Sequence, residues 1–329
     1  MNIGVAIVTY GDQSHFNGIR KSLRALEKIS QIKEVVVIQN GSEYDLQNDL
    51  FNLNSTLNIK LVVNEINTGS AGGFSQGLRF FAYNNSVDYI LLLDDDTRVV
   101  ADAFDNIEKF EHKHDLTDKH IWSLFRKERY GNENFEKSWD YNLNYFHNRF
   151  ISFSIMQFIG EKKMSTIRKN KQLSDLLYAP YAGMLVTKEA IQEVGFPNEK
   201  YYLYVDDIDY SLKIKTNGYK IYQIAGARLE DMSSSWSANT KHSATSFFEK
   251  NMNPGRYLYN ARNWVYLIKS NNMVTNTMVY FINKSLYKII MFLIFMPKTK
   301  WGLSRYRKLL KALSDGEIGK LGYDESYEI

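Results

Sequence analysis

The feature that most constrains the fold is the alternation of strand-like and helix-like segments in the first hundred residues. Four short apolar runs have the length and β-branched composition of buried strands, at residues 3–8, 34–39, 59–64 and 89–93. Helix-length stretches with apolar residues at helical spacing lie between them, at residues 16–30 and 72–84. This alternation predicts an α/β domain with a mostly parallel central sheet and helices on both faces.

The remaining chain changes character twice. Residues 111–177 are rich in basic, polar and aromatic side chains without clear alternation, and they predict a mostly helical insertion. The strand-like residues 181–187 and the helix-like residues 188–194 then resume the α/β pattern. From residue 251 onward the pattern is helical. We therefore expect a main domain of residues 1–250 and a helical C-terminal region of residues 251–329.

Composition excludes several kinds of site. The chain has no cysteine, which excludes disulfides, zinc–thiolate centres and thiol nucleophiles. Its net formal charge of +4 is too small for a dedicated nucleic-acid binder unless the charge is clustered. Of the six histidines, only His112 and His114 are closely spaced, and their polar surroundings are typical of a solvated surface.

Polar and glycine residues follow each of the four predicted strands. These loops are residues 9–12, 39–42, 64–73 and 94–96. Ligands of open α/β sheets bind beyond the carboxyl ends of the strands, where the connections diverge. We therefore expect the functional site at this edge of the sheet.

The strongest single motif is Asp94, Asp95 and Asp96, directly after the fourth predicted strand. Adjacent carboxylates repel one another, and a bound cation relieves that repulsion. Hard oxygen ligands favour Mg²⁺ or Mn²⁺. Asp94 and Asp96 point to the same side of an extended backbone and Asp95 to the other, so we expect the first and third to share one ion. The alternative is a solvated acidic turn.

A second acidic group consists of Asp206, Asp207 and Asp209, at the start of a helix-like stretch over residues 210–216. An aspartate at a helix N-terminus can cap the helix and complement its dipole. That role accounts for one of the three. A carboxylate near a metal-bound diphosphate is also suited to take a proton from an attacking hydroxyl.

Residues 67–74 contain three glycines before a predicted helix, namely Gly69, Gly72 and Gly73. Glycines at such a place let backbone amides approach a phosphate or a sugar. The spacing matches neither a P-loop nor a dinucleotide fingerprint, and a tight strand–helix turn is the alternative.

Taken in order, these motifs resemble those of family-2 inverting glycosyltransferases of the GT-A fold. The resemblance covers residues 3–110 and 178–240. Within the family, residues 68–74 together with the triple aspartate are most similar to bacterial galactofuranosyltransferases, and rhamnosyltransferases are close relatives. The resemblance implies that residues 1–250 are a GT-A catalytic domain.

The resemblance also implies a reaction. A sugar would move from a nucleotide-diphosphate donor to a glycan or lipid-linked glycan acceptor in the synthesis of a cell-surface polysaccharide, such as a capsule or O-antigen. The donor would be UDP-galactofuranose or, alternatively, dTDP-rhamnose. A divalent cation, Mn²⁺ or Mg²⁺, would bind the diphosphate.

Roles at matching positions follow from the same resemblance. Asp207 would be the catalytic base, and Asp206 would orient the base or the acceptor. Asp94 and Asp96 would hold the cation. The nucleotide-sugar would contact a set of residues at the strand ends and in the glycine loop: Thr9, Tyr10, Asn40, Asn67, Gly69, Gly72, Gly73, Asp94 and Asp95.

One position departs from the family pattern. The family usually has a histidine metal ligand near the end of the catalytic core, and here Asp231 stands at that place. A carboxylate is a competent ligand for Mg²⁺ or Mn²⁺, so Asp231 is the predicted third metal ligand. His242 is a fallback with a different spacing.

The C-terminal region combines an apolar run with a basic one. Residues 289–296 are apolar, and the following basic residues are Lys298, Lys300, Arg305, Arg307, Lys308 and Lys311. This order is typical of a helix that lies on an anionic membrane surface, with a buried helix or a homo-oligomer contact as alternatives. Because the first ten residues do not resemble a secretory signal, we expect a cytoplasmic protein that is peripheral on the inner face of the cell membrane.

Two other functions are compatible with parts of the pattern. A nucleotidyltransferase also uses aspartate-bound metal beside a glycine loop, but residues 9–12 lack the basic phosphate loop expected after the first strand. A non-catalytic carbohydrate-binding protein could keep the same fold. Hydrolysis of a nucleotide-sugar would distinguish an enzyme from such a protein.

Overall fold

The computed structural model describes residues 1–42, 44–127, 135, 139–141, 143–157, 165–167, 172–232, 247–248 and 254–327. The chain divides into two compact units. The first unit consists of residues 1–140, 167–199 and 207–238, and the second of residues 141–166, 200–206 and 239–329.

The strands belong to one large and two small sheets. In chain order they are β1 (Ile3–Thr9), β2 (Ile32–Asn40), β3 (Ile59–Asn64), β4 (Tyr89–Asp94), β5 (Thr97–Val99), β6 (His120–Ser123), β7 (Trp139–Tyr141), β8 (Ser165–Ile167), β9 (Leu173–Asp175), β10 (Met184–Thr187), β11 (Lys220–Ile224) and β12 (Leu229–Asp231). The large sheet has the order β3-β2-β1-β4-β10-β6-β11-β9, while β5 pairs with β12 and β7 with β8.

The first four strands of the chain are parallel neighbours, whereas β10 is antiparallel to both β4 and β6, and β9 is antiparallel to β11. The sheet is therefore mostly parallel. Nine α-helices of four or more residues are described: α1 (Phe16–Leu26), α2 (Leu46–Asn52), α3 (Gly69–Phe81), α4 (Ala103–His114), α5 (Lys188–Val194), α6 (Asp206–Thr216), α7 (Pro254–Ser270), α8 (Thr277–Ile290) and α9 (Gly302–Ile318).

Helices cover both faces of the large sheet. On one face α1 buries Ile19, Leu23 and Leu26 against the strands, and α4 packs beside it. On the other face α3 buries Leu78 and Phe81, with α5 and α6 in the same core. Each helix has its apolar residues at helical spacing, which is why one side of it faces the sheet. The predicted α/β fold is confirmed.

Close packing of α3 on β1 explains two of its glycines. A Cβ built at Gly73 would lie 2.7 Å from Cγ1 of Val8, and one at Gly77 would lie 2.6 Å from Cβ of Ala6. Real Cβ atoms do not come so close, so an alanine at either position would displace the helix from the strand. These glycines therefore set the distance between α3 and the sheet.

The predicted helical insertion at residues 111–177 is wrong for much of its described part. Strands β6 and β9 arise from this stretch and are members of the large sheet. Their three or four residues are too few to show a period of two in the sequence. The predicted helical character from residue 251 onward agrees with α7, α8 and α9.

The second unit has its own apolar core. Helices α7 and α9 pack along each other, and their buried residues include Leu258, Val265, Leu309 and Leu313. Helix α8 continues through further turns to Lys298, so that the stretch Thr277–Lys298 has the length and composition to cross a bilayer. A single stretch of this kind is weak evidence for a membrane span.

Candidate active site

The topology brings the ends of β1 and β4 together. These strands are hydrogen-bonded neighbours, with Val8 opposite Asp94. The connection after β1 leads to β2 on one side, whereas the chain enters β4 on the other side. Such a divergence creates a crevice at the carboxyl ends of the strands. The predicted loop 9–12 and the triple aspartate both begin at this edge.

The three aspartates have different environments. Asp95 is buried, with 8% of its surface exposed. Its carboxylate accepts a hydrogen bond of 2.6 Å from the Thr9 hydroxyl and one of 2.8 Å from Nδ1 of His15. Asp94 and Asp96 on either side are partly exposed. The expected extended backbone ends at Asp94, and Asp95 and Asp96 lie in a turn in which the middle carboxylate faces the protein.

The turn that carries the aspartates is braced from two sides. The Thr97 hydroxyl, itself buried, donates to the carbonyl oxygen of Asp94 over 2.9 Å. Helix α1 passes so close to the turn that a Cβ built at Gly18 would lie 2.2 Å from the carbonyl oxygen of Asp95. Only glycine fits at that point, and the turn has little room to move toward α1.

His15 is a site residue that the sequence did not single out. The hydrogen bond to Asp95 raises the pKa of His15 above its ordinary value, which favours the imidazolium form. Its ring lies 5.6 Å from the ring of Tyr10, a predicted contact of the nucleotide-sugar, which is 44% exposed. An imidazole with a raised pKa therefore lies next to the carboxyl edge of β1. In the sequence, only the position of His15 just after the predicted loop 9–12 could have indicated that it belongs to the site.

Asn40 organises the glycine loop. Its side-chain oxygen accepts hydrogen bonds from the backbone amide and the hydroxyl of Thr68 and from the Asn64 side chain. Its side-chain nitrogen donates to Asn67 and to the carbonyl of Gly69. Only 2% of Asn40 is exposed, so its amide is buried and bonded within the loop. Contact between Asn40 and a nucleotide stays a prediction.

The loop ends at the N-terminus of α3. Gly69 has a φ of +71°, in the left-handed region, and its amide donates to the side-chain oxygen of the exposed Asn67. A Cβ built at Gly72 would lie 2.5 Å from the Thr68 side chain. Gly69, Gly72 and Gly73 are all buried, so they shape the loop and the helix start. Their contact with a nucleotide-sugar stays a prediction.

Asp231 lies beside the triple aspartate along the backbone, but its side chain has a basic partner. Strand β12 pairs with β5 so that Asp231 is opposite Thr97, and the Met232 amide donates to the carbonyl of Asp96 over 2.8 Å. The Asp231 carboxylate forms an ion pair with Arg126, and both side chains are buried. The predicted third metal ligand therefore pairs with an arginine in this structure.

No group of three or more His, Cys, Asp or Glu side chains that could hold a metal occurs among the described residues. The role of Asp94, Asp96 and Asp231 as metal ligands stays a prediction. The fallback ligand His242 lies outside the described residues.

The predicted acidic pair begins α6. Asp206 is buried and Asp207 is partly exposed, with the Asp207 carboxylate accepting from the amide of Ile208 over 2.9 Å. The residues just before them have unusual backbone conformations, with φ values of +64° at Tyr202, +68° at Tyr204 and +69° at Val205. Positive φ is costly for side-chain-bearing residues, above all for a β-branched one.

Asn263 on α7 holds this strained segment. Its buried side-chain amide donates to the carbonyl oxygens of Tyr201, Leu203 and Tyr204 at 3.0, 2.8 and 2.8 Å. The neighbouring Arg262, also buried, donates to the same Tyr201 carbonyl over 3.0 Å. Two side chains of α7, Asn263 and Arg262, thus fix the chain immediately before α6. The sequence did not predict this role for them.

We compared the chain with known protein families and known proteins. The model of the glycosyl transferase family 2 domain matches residues 5–194, more than half of the chain. No match was found among curated proteins.

Several solved structures share the fold. TarS from S. aureus superimposes with a TM-score of 0.52 at 12% identity, over 97% of this chain and 55% of that one. The TarS fragment 1–349 gives a TM-score of 0.50 at 12% identity, over 97% and 92% of the two chains. GalNAc-T7, solved with UDP, GalNAc and Mn²⁺, gives 0.52 at 11% identity over 90% and 58%.

The present chain thus spans about half the length of the first of these structures and nearly all of the fragment. Identities near a tenth show the shared fold, and the sequence match shows the family. The chain, with its triple aspartate at the end of β4, belongs to glycosyl transferase family 2.

Proposed function

We propose that this protein transfers a sugar, with inversion at the anomeric carbon, from a nucleotide-diphosphate donor to a hydroxyl of a glycan or lipid-linked glycan. The observation that carries the proposal is the unequal use of the three aspartates after β4. The Asp95 carboxylate is hydrogen-bonded to Thr9 and His15 inside the protein. Asp94 and Asp96, in contrast, are partly exposed at the carboxyl ends of the strands. Two exposed carboxylates at this edge suit a metal-bound diphosphate.

The carboxylates at this edge of the sheet are suitable ligands for a divalent cation. Mg²⁺ and related ions commonly bind one or two carboxylates and complete their shell with phosphate oxygens and water. Asp94 and Asp96 would supply the two carboxylates, while Arg126 keeps Asp231 occupied. The presence of Mn²⁺ and UDP in GalNAc-T7 supports the same assignment. A cation held there would neutralise the negative charge gained by the departing diphosphate.

Asp207 is the proposed base. It accepts the proton of the acceptor hydroxyl as that oxygen bonds to the anomeric carbon. The bond between the anomeric carbon and the diphosphate oxygen breaks, and its electron pair leaves with the diphosphate. Asp206, which precedes Asp207 and is buried, orients the base or the acceptor in this proposal.

We propose UDP-galactofuranose as the donor, on the similarity of residues 68–74 and the triple aspartate to galactofuranosyltransferases. Galactofuranose transfer would serve the synthesis of a surface polysaccharide, with residues 1–250 as the catalytic domain. A peripheral position on the inner face of the membrane would bring the enzyme to a lipid-linked acceptor.

A donor screen tests the proposal. The protein is heated with Mn²⁺ and each of several UDP- and dTDP-sugars, and the midpoint of thermal unfolding is followed, because a ligand that binds the native state raises it. UDP-galactofuranose should give the largest shift and should be hydrolysed slowly without acceptor. Protection by dTDP-rhamnose instead would reassign the donor, and binding without hydrolysis or transfer would indicate a non-catalytic protein.

The base is tested by Asp207→Asn, with Asp209→Asn in the same helix as the matched control. Loss of a general base typically lowers turnover by about 10²–10⁴-fold. The Asp207 variant should retain thermal protection by the donor while transfer collapses, and the Asp209 variant should remain active. Equal transfer rates in the two variants would remove Asp207 from this role.

A further inference from the structure

Helix α8 presents an apolar face to solvent. Its exposed large apolar residues recur at intervals of three, four and seven positions, which places them on one side of the helix. They are Met278, Phe281, Ile282 and Ile289, with exposed fractions of 73%, 63%, 39% and 50%. In the following turns Phe292, Leu293 and Ile294 are also exposed. We call these seven residues the apolar stripe.

The opposite side of α8 is attached to the protein. Asn283, fully buried, accepts from the amide of Ile155 and donates to the carbonyl of Asn148, each over 2.8 Å. The Tyr287 hydroxyl lies 2.7 Å from that of Tyr257. Hydrogen bonds from one side of α8 therefore attach the helix to the second unit. The apolar stripe is exposed to solvent.

Basic residues are concentrated in the segment of the sequence that contains the stripe, although Arg262 is buried and Lys284 and Lys311 pair with acidic residues of the C-terminal end. Residues 254–314 contain eleven lysines and arginines and no aspartate or glutamate. Since the whole chain has a net charge of +4, the remainder of it carries −7. Lys298 and Lys300 are exposed at the end of the stripe, and the Lys300 ammonium lies 5.3 Å from the ring of Trp301, which is 45% exposed.

We propose that the apolar stripe, together with a basic rim formed by Lys298 and Lys300, docks on an anionic phospholipid surface, with α8 parallel to the membrane plane. Apolar side chains would enter the acyl boundary while Lys298 and Lys300 meet headgroup phosphates and Trp301 lies at the interface. The exposed Lys298 and Lys300 at the end of the stripe distinguish between possible occupants. A second copy placed on the same face would oppose one basic segment with another, whereas an anionic bilayer complements both the charge and the stripe.

Vesicle flotation with the full chain tests this inference. Flotation needs neither donor nor acceptor, so the result does not depend on the proposed sugar transfer. The protein is mixed with vesicles of phosphatidylcholine alone or of phosphatidylcholine with phosphatidylglycerol. We expect at least about tenfold more bound protein on the anionic vesicles, with less binding at high salt.

Two paired variants separate the stripe from the rim. Phe281→Glu with Leu293→Glu should lower binding at least about tenfold, and Phe51→Glu with Tyr83→Glu, which alters two exposed aromatic residues of the first unit, should not. Lys298→Glu with Lys300→Glu should also lower binding, relative to Lys21→Glu with Lys28→Glu. Thermal unfolding midpoints confirm that each variant is folded.

Three results would overturn the inference. One is wild-type protein that does not float with anionic vesicles at low salt, and another is stripe variants that float as well as their control. The third is a wild-type dimer in analytical ultracentrifugation together with monomeric stripe variants. That result would show that the apolar stripe binds a second copy of the chain.

Discussion

The Thr9 hydroxyl donates a hydrogen bond of 2.6 Å to the Asp95 carboxylate, which joins the end of β1 to the turn after β4. Both residues are buried, so water is a poor substitute for either partner. The bond thus holds the middle aspartate inside the protein, while Asp94 and Asp96 stay partly exposed at the crevice.

Thr9→Val tests this bond with a side chain of nearly the same shape. The change leaves a buried carboxylate with one partner fewer, and we expect the free energy of unfolding to fall by about 1–3 kcal/mol. Donor affinity should fall with it, because the turn between Asp94 and Asp96 loses a support. Urea denaturation measures the first effect and thermal protection by the donor the second. Thr216→Val, at an exposed position on α6, is the control and should change neither.

His15 gives the site a pH dependence. Because the hydrogen bond to Asp95 raises the pKa of His15, the stabilisation from this pair is complete below the unfolded-state pKa of about 6.5 and is lost as pH rises through the higher folded-state pKa. NMR titration should show the His15 pKa above about 6.5 in the wild type and lower in Asp95→Asn.

The same pair predicts a stability difference. The unfolding midpoint of His15→Gln should fall furthest below the wild type in mildly acidic solution, and the two should converge as pH rises above the folded-state pKa. His112→Gln, at an exposed position, should follow the wild type throughout. If the difference in unfolding midpoint between His15→Gln and the wild type increased with pH, the ion pair between His15 and Asp95 would be contradicted.

Asp231 and Asp96 should respond differently to substitution. Asp231→Asn leaves the buried Arg126 without its carboxylate, so we expect a loss of about 3–5 kcal/mol in stability. Asp96→Ala should instead abolish Mn²⁺-dependent donor binding in calorimetry with little change in stability. Chelation with EDTA should reproduce the Asp96 effect in the wild type. Weaker Mn²⁺ binding in a stable Asp231→Asn protein would support the predicted role of Asp231 as a metal ligand.

Local patterns in the sequence were sufficient for several elements. Strand β3 and helix α5 have the predicted bounds, since each is a continuous run with clear periodicity. Helix α3 begins at Gly69, three residues before its predicted start, because glycines obscured the helical pattern there. Strands β6 and β9 were missed because three or four residues cannot define a period, and their partners in the sheet lie far along the chain.

In the site, too, features formed by neighbouring residues could be predicted and contacts between distant residues could not. The triple aspartate is recognisable because its three carboxylates are adjacent in sequence. The partners of Asp95 are not, since Thr9 and His15 lie 86 and 80 residues away and meet it only in the folded sheet. Arg126 likewise reaches Asp231 from 105 residues away, so the ion pair that occupies this carboxylate could not be predicted from local pattern.

Asn263 provides the last prediction, because its amide supports a segment that is strained on its own. Tyr204 and Val205 adopt positive φ values immediately before Asp206, and such conformations cost about 1–3 kcal/mol each unless their surroundings impose them. Asn263→Ala removes the donor to three carbonyls, so we expect stability to fall by about 2–4 kcal/mol. The chain before α6 should then relax.

If that segment positions Asp207, the turnover number of Asn263→Ala should fall more than its donor affinity, because the donor site at β1 and β4 is untouched. Steady-state kinetics below the unfolding midpoint of the variant separates the two quantities. Asn260→Ala, three residues earlier on α7, is the matched control and should keep wild-type turnover. Wild-type turnover in a folded Asn263→Ala protein would show that the strained segment holds the fold of the second unit without influencing the base.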